Sequence, residues 1–183
     1  MKLAALVLAA GAGSRFGGGK LEALFRGQPL VNHAIRAAQA APGGRVIVVA
    51  APGLPLPQGV EAVRIATKAL SDSLKAGIAA AGPVDGLFVF LGDMPLVPHG
   101  LAGELAPLLP GAYAVVPRHA GRRGHPVLLS AGALGDCSDL RGDEGFGQLL
   151  RGRSDVAFLD CDDEGAVIDI DRAEDLARLE GKG

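Results

Sequence analysis

The chain has 183 residues, 49% of them apolar and 21% charged, with a formal net charge of −2; its pI is about 6.1 and its mean hydropathy +0.30. That length suits one domain with a sizeable core and is too short for two, so residues 1–183 read as a single domain. Mild acidity and few aromatics (six Phe, one Tyr, no Trp) speak against a nucleic-acid surface, and no apolar run nears the roughly 18 residues of a membrane span.

Apolar runs bounded by turn residues alternate with helix-period segments, which predicts an α/β fold: a mostly parallel, Rossmann-like sheet with helices on both faces. Residues 3–10 (LAALVLAA) read as a first buried strand, 29–41 as a helix opened by Pro29, and 45–51 (RVIVVAA) as a second buried strand. The Pro- and Gly-rich stretch 52–59 can only be a loop. A weaker strand follows at 60–65, and Ser71-Asp-Ser73 is expected to cap a helix running to Ala81. Residues 86–91 (GLFVFL) form the strongest strand of the middle, running straight into Gly92-Asp93-Met-Pro95. A helix over 98–109 and strands over 112–117 and 126–130 come next. The pattern then predicts a short helix at 143–151, strands at 155–160 and 166–170, and a last helix opened by the acidic run from Asp171.

Cys137 and Cys161 form no C-x-x-C, and His33, His99, His119 and His125 lack metal-ligand spacing. Two isolated thiols suit a reducing compartment, so a cytoplasmic location is expected.

The first strand empties into Gly11-Ala-Gly13-Ser-Arg15-Phe-Gly17-Gly-Gly-Lys20. Glycines let backbone N–H groups turn toward a ligand, and the two cations suit an anion, so this is a candidate phosphate loop. The dinucleotide fingerprint G-x-G-x-x-G fails because Phe16 stands at its third glycine; the Walker loop fails because Ser14 and Leu21 occupy its first and last positions. A nicotinamide enzyme is further disfavoured because no acidic residue ends the second strand at Ala50-Ala51. Asp93 follows a buried strand and so lies at the sheet edge where ligands of α/β folds bind. A lone carboxylate there suits Mg²⁺, which takes one or two carboxylates plus phosphate oxygens, although an Asp capping the turn before Pro95 fits the same spacing.

The loop fits L-A-A-G-x-G-x-R-[FM]-G-x-x-K, and the chain resembles the MobA-like nucleotidyltransferases from residue 1 to about 180. Further motifs fall in family order: Gly92-Asp93-Met-Pro95, Gly124-His-Pro126 and Asp169-Ile-Asp171. The likeness is strongest to the MocA-type branch, the molybdenum cofactor cytidylyltransferases, because Ala10 and Gly92 stand where guanylyl-transferring relatives typically have Gly and often Cys. The resemblance implies an enzyme that moves CMP from CTP to the terminal phosphate of molybdopterin, with Mg²⁺ as cofactor and a molybdenum hydroxylase as a possible downstream partner.

By the same resemblance, Leu8, Ala9, Ala10, Gly11, Ala12, Gly13, Arg15 and Lys20 hold the nucleotide, with Ser71 and Ser73 of S-D-S-L-K-A-G at its base and ribose. Arg15, Lys20 and Asp93 are the implied catalytic set. Asp93 is the implied metal ligand, with Asp171 favoured over Asp169 as the second; Asp171 as a plain helix N-cap carries equal weight. Arg118, Arg122, Arg123 and His125 are implied at the acceptor, with Gly142-Asp-Glu-Gly145 nearby. GTP or another NTP with a sugar or polyol phosphate acceptor remains an alternative, as does a non-catalytic cofactor-insertion partner of molybdoenzymes.

Overall fold

The computed structural model describes residues 1–11, 16–67 and 69–181. Its centre is strand β1 (Leu3–Ala9), buried along its whole length. On one side β1 pairs in parallel with β4 (Val46–Ala50), on the other with β6 (Gly86–Leu91). Side chains on both faces of these strands are apolar, because both faces are covered, and this is why the strands read as continuous hydrophobic runs. Strand β5 (Glu61–Arg64) extends the sheet beyond β4. Beyond β6 lie β9 (Val127–Ser130), β7 (Ala114–His119) and β10 (Val156–Asp160), giving the order β10-β7-β9-β6-β1-β4-β5. Strand β9 runs antiparallel to both neighbours, and a short β8 (Arg122–Arg123) folds back on the end of β7. The α/β architecture expected from the sequence is the one observed.

The two faces of β1 seed two cores. Leu3, Ala5, Val7 and Ala9 pack with α1 (Leu30–Gln39) and α3 (Leu101–Leu105). Ala4, Leu6, Leu8 and Ala10 pack with α2 (Leu70–Ala81) and α4 (Ala131–Asp136). Gly77 brings α2 onto the sheet: a Cβ there would strike the methyl groups of Leu6, which is itself fully buried. A third cluster joins Phe25, Leu30, Ile170 and Leu179, seating α5 (Ala173–Glu180) against the small hairpin of β2 (Leu24–Phe25) and β3 (Gln28–Pro29).

Several local expectations are corrected. Residues 143–151 form a chain of turns rather than a helix. Phe146, Leu149 and Leu150 have helical spacing, but four glycines (142, 145, 147 and 152) penalise it, and two of them adopt positive φ (+54° at Gly142, +73° at Gly152). Residues 166–170 are not a strand: a 3₁₀ turn spans Glu164–Val167, and the Ala166 carbonyl accepts from the His125 N–H (2.8 Å) instead of joining a ladder. Ser71 and Ser73 do not cap α2, whose N-cap residue is Ala69. Thr67 organises that end: its hydroxyl accepts from the Ala69 N–H (3.1 Å) and donates to the Asp72 carboxylate (2.9 Å). The helix expected over 98–109 shortens to α3 plus a 3₁₀ turn at Ala106–Leu108. Among the described residues, no helix is long and apolar enough to cross a membrane.

Candidate active site

Because β1 and β6 are parallel neighbours, their carboxyl ends reach the same sheet edge, and Leu8 is paired with Leu91 there. Gly92 continues this contact, its N–H donating to the Leu8 carbonyl (2.9 Å), and the next residue is Asp93. Lys20 arrives from the other direction. It follows Gly17, Gly18 and Gly19, with φ of +89°, +96° and +65°, a run of left-handed backbone that only glycine adopts without strain. A 3₁₀ turn at Lys20–Glu22 then directs the lysine inward, where it is buried.

The Lys20 ammonium lies 2.7 Å from Asp93 Oδ2 and 3.3 Å from Asp171 Oδ1. A buried ammonium without a partner would be strongly disfavoured, and the two carboxylates supply the compensation. Asp171 is placed by the third core cluster: Ile170, fully buried, donates its N–H to the Asp93 carbonyl (2.9 Å). Asp171 is not the N-cap of α5. Arg172 holds that position, and the Asp175 carboxylate accepts from the N–H groups of Asp171 (3.2 Å) and Arg172 (3.0 Å). Asp169 is exposed, so of the two carboxylates only Asp171 is turned to Lys20.

Two cavities border this cluster, and a third shares Leu8, Leu70 and Leu91 with the first of them. One of about 240 Å³ is lined by Leu8, Ala10, Gly11, Lys20, Ser73 and Asp93, among others. A wider groove of about 640 Å³ shares Ala10, Gly11 and Lys20 and opens between the ends of β4 and β5, along Ala51–Leu54 and Ile65–Thr67. Ala9 lines this groove as well. Ser73 donates weakly to the Ala69 carbonyl (3.4 Å); the Ser71 hydroxyl is buried and, among the described residues, has no hydrogen-bond partner. Ala12, Gly13 and Arg15 lie outside the described residues.

The third cavity, about 290 Å³, is lined by apolar side chains from Leu8, Leu70, Leu74, Leu91, Val116 and Phe146, with Arg123 and His125 at its polar side. The His125 ring meets Phe146 edge-on at 5.9 Å. Burial lowers the imidazole to about 4, outweighing the opposing pull of Asp93, so His125 is neutral at pH 7 and offers hydrogen bonding without charge. Arg118 is engaged elsewhere, paired with Asp160 (3.0 Å) and lying over Phe158 at 4.7 Å. Arg122 donates to the Val167 carbonyl (3.3 Å). Of the four implied acceptor residues, the structure brings Arg123 and His125 to the wall of this cavity, and engages Arg118 with β10 and Arg122 with the 3₁₀ turn at Glu164–Val167. Leu70, Phe146 and Thr67 are additions that the sequence reading lacks. Phe146 follows the noted Gly142–Gly145 turn directly, and that adjacency is the signal that could have found it.

The model of the MobA-like NTP transferase domain matches residues 5–157. The chain belongs to that family. Among solved structures, it is similar to a homologue of Rv0371c from Mycobacterium sp. strain JC1, with 27% identity, 99% of this chain and 96% of that chain covered, and a TM-score of 0.87. Rv0371c of Mycobacterium tuberculosis is 24% identical over 99% of both chains with a TM-score of 0.88. A manganese complex of Rv0371c is 25% identical over 100% of both chains with a TM-score of 0.85. No curated protein matches the chain significantly. Membership fixes the coarse chemistry as that of a nucleotidyltransferase domain.

Proposed function

We propose that the chain transfers CMP from CTP to the terminal phosphate of molybdopterin cofactor and releases pyrophosphate. The observation that carries this reading is the meeting of Lys20, Asp93 and Asp171, with Lys20 and Asp93 lining the same cavity as Gly11 and an apolar cavity sharing its Leu8, Leu70 and Leu91 walls. In the reaction an acceptor phosphate oxygen bonds to the α-phosphorus of CTP as the bond to the β-phosphate bridge breaks. Such transfer rests on in-line positioning and charge stabilisation, and an ionised phosphate needs no general base.

The residues fit a divalent cation. Asp93 and Asp171 already gather around a positive charge, the ammonium of Lys20. Among the described residues, no group of three or more His, Cys, Asp or Glu forms a metal cage. Two carboxylates that leave the remaining positions to water and phosphate match the habit of Mg²⁺. Mg²⁺ held there by Asp93 and Asp171 would supply charge neutralisation to the nucleotide phosphates; the Rv0371c manganese complex supports a divalent cation at this fold.

The backbone N–H of Gly11, with those of Ala12 and Gly13, would hold the phosphates, and Arg15 and Lys20 would neutralise charge on the departing pyrophosphate. Leu8, Ala9 and Ala10 would shape the base corner, with Ser71 and Ser73 flanking it. The acceptor would lie along Arg123 and His125; Arg118 and Arg122 would reach it only on release from Asp160 and the Val167 carbonyl. The apolar lining of that cavity favours a bulky ring system over a sugar or polyol phosphate, and a molybdenum hydroxylase would be the natural recipient of the product. Pyrophosphate release measured with each NTP, with and without molybdopterin cofactor, tests the assignment. Release with CTP only in the presence of the cofactor is expected; a GTP preference would move the chain to the guanylyl-transferring relatives. Nucleotide binding without release from any NTP would favour a cofactor-insertion partner.

A further inference from the structure

We infer that Lys20 is the resident counter-ion of Asp93 and Asp171 and exchanges with a divalent cation. In the nucleotide-free protein its ammonium holds the carboxylates, and metal entry drives it toward the phosphates. This inference rests on the reading that Asp93 and Asp171 form the metal site.

The geometry points to one ammonium shared by two carboxylates. The Ile170 N–H bond to the Asp93 carbonyl ties the two acidic residues together regardless of what lies between their side chains. Two carboxylates held this close repel unless a positive charge stands between them. Among the described residues Lys20 supplies such a charge, at 2.7 Å from one and 3.3 Å from the other. Asp93 and Asp171 are also the residues that would hold a divalent cation. An ammonium and a divalent cation cannot share them, since like charges a few ångströms apart in a partly buried site repel strongly. One must leave when the other arrives.

Lys20 has somewhere to go. Its side chain borders both the 240 Å³ cavity and the 640 Å³ groove. Among the described residues, no heavy atom lies within 4 Å of where a Cβ would project from the three glycines before it, so that side of the preceding backbone is open. The side chain can swing from the carboxylates into space contiguous with Gly11. Metal and nucleotide would then bind with positive coupling, because each favours the same position of one ammonium.

Mn²⁺ alone, titrated without nucleotide and followed by the electron paramagnetic resonance signal of the free ion, tests the exchange. Lys20→Met is expected to bind Mn²⁺ at least tenfold more tightly than wild type, and Lys20→Arg, which keeps the charge, no more tightly. A Lys20→Met affinity equal to or below wild type overturns the exchange. So does a gain that survives in the Lys20→Met/Asp93→Asn double variant, because it would arise elsewhere. As a check that needs no variant of doubtful folding, the ¹⁵N resonance of the Lys20 ammonium in wild-type protein should shift as Mg²⁺ is added; an unmoved resonance at concentrations that displace bound Mn²⁺ overturns the proposal. The underlying metal reading is judged separately. If Asp93→Asn binds Mn²⁺ with CTP as well as wild type, that reading fails and the exchange with it. If Asp93→Asn loses the metal while Lys20→Met gains nothing, only the exchange fails.

Discussion

Ile170 donates its backbone N–H to the carbonyl oxygen of Asp93, at 2.9 Å, and so fastens the start of the last helix to the end of β6. The residue after Ile170 is the second carboxylate of the site, and Ile170 itself is fully buried with Phe25, Leu30 and Leu179. A packing contact therefore sets the distance between two charged groups. Ile170→Ala should cost about 2–5 kcal/mol of stability, the usual range for truncating a buried Ile. It should also weaken divalent-cation binding although no ligand has changed. Denaturant unfolding and a Mn²⁺ titration on the same variant check both halves.

Asp93→Ala should leave the fold intact, since the side chain stands at the sheet edge and is one-quarter exposed. Turnover should fall by at least about 10²–10³-fold, the usual loss on removing one transition-state contact. Wild-type pyrophosphate release at saturating Mg²⁺ would contradict the assignment.

His125 gives the protein a pH signature. Its folded-state value of about 4 lies below the ordinary 6.5, so the unfolded chain takes up the proton first as pH falls. Stability is then lost progressively from about pH 6.5 down to about pH 4, and this residue contributes no slope above that window. His125→Gln should flatten the dependence. Urea midpoints at pH 7.5 and 4.5 should separate less in the variant than in wild type.

Nucleotide choice tests the base corner. Ala10 is buried and borders both the 240 Å³ cavity and the 640 Å³ groove, so on the proposed reading its methyl group takes space that a larger base would fill. Wild type should prefer CTP to GTP, and Ala10→Gly should relax the preference only partly, because one methyl is worth about 1–3 kcal/mol of discrimination at most. The ratio of kcat/KM for the two nucleotides, measured with molybdopterin cofactor, provides the check.

The sequence makes the central sheet legible because β1, β4 and β6 are apolar on both faces, and Gly86–Leu91 has the expected bounds. It makes Asp93 legible for the same reason, since a buried strand that ends in a carboxylate points to the ligand edge. Less legible are the features set by distant partners. α4 hides in A-G-A-L-G-D, where two glycines mask a short helix capped by the Ser130 hydroxyl. The extended segment Ile168–Ile170 alternates like a strand, yet its anchor is the Asp93 carbonyl and not a ladder. The Lys20 pairings span 73 and 151 residues, and no local pattern encodes a contact of that range.

Gly77 carries a consequence for heat tolerance. A glycine inside a helix costs roughly 0.5–1 kcal/mol relative to alanine, so Gly77→Ala is the first change a stabilising screen would try. Here the added methyl would press on Leu6 and lift α2 from β1, and the same helix carries Leu70 and Ser73 to the cavity walls. Any robustness won at this position would be taken from the shape of the two cavities that α2 walls. The weakness in the middle of α2 is thus a spacer, and selection for activity would hold it in place against selection for endurance.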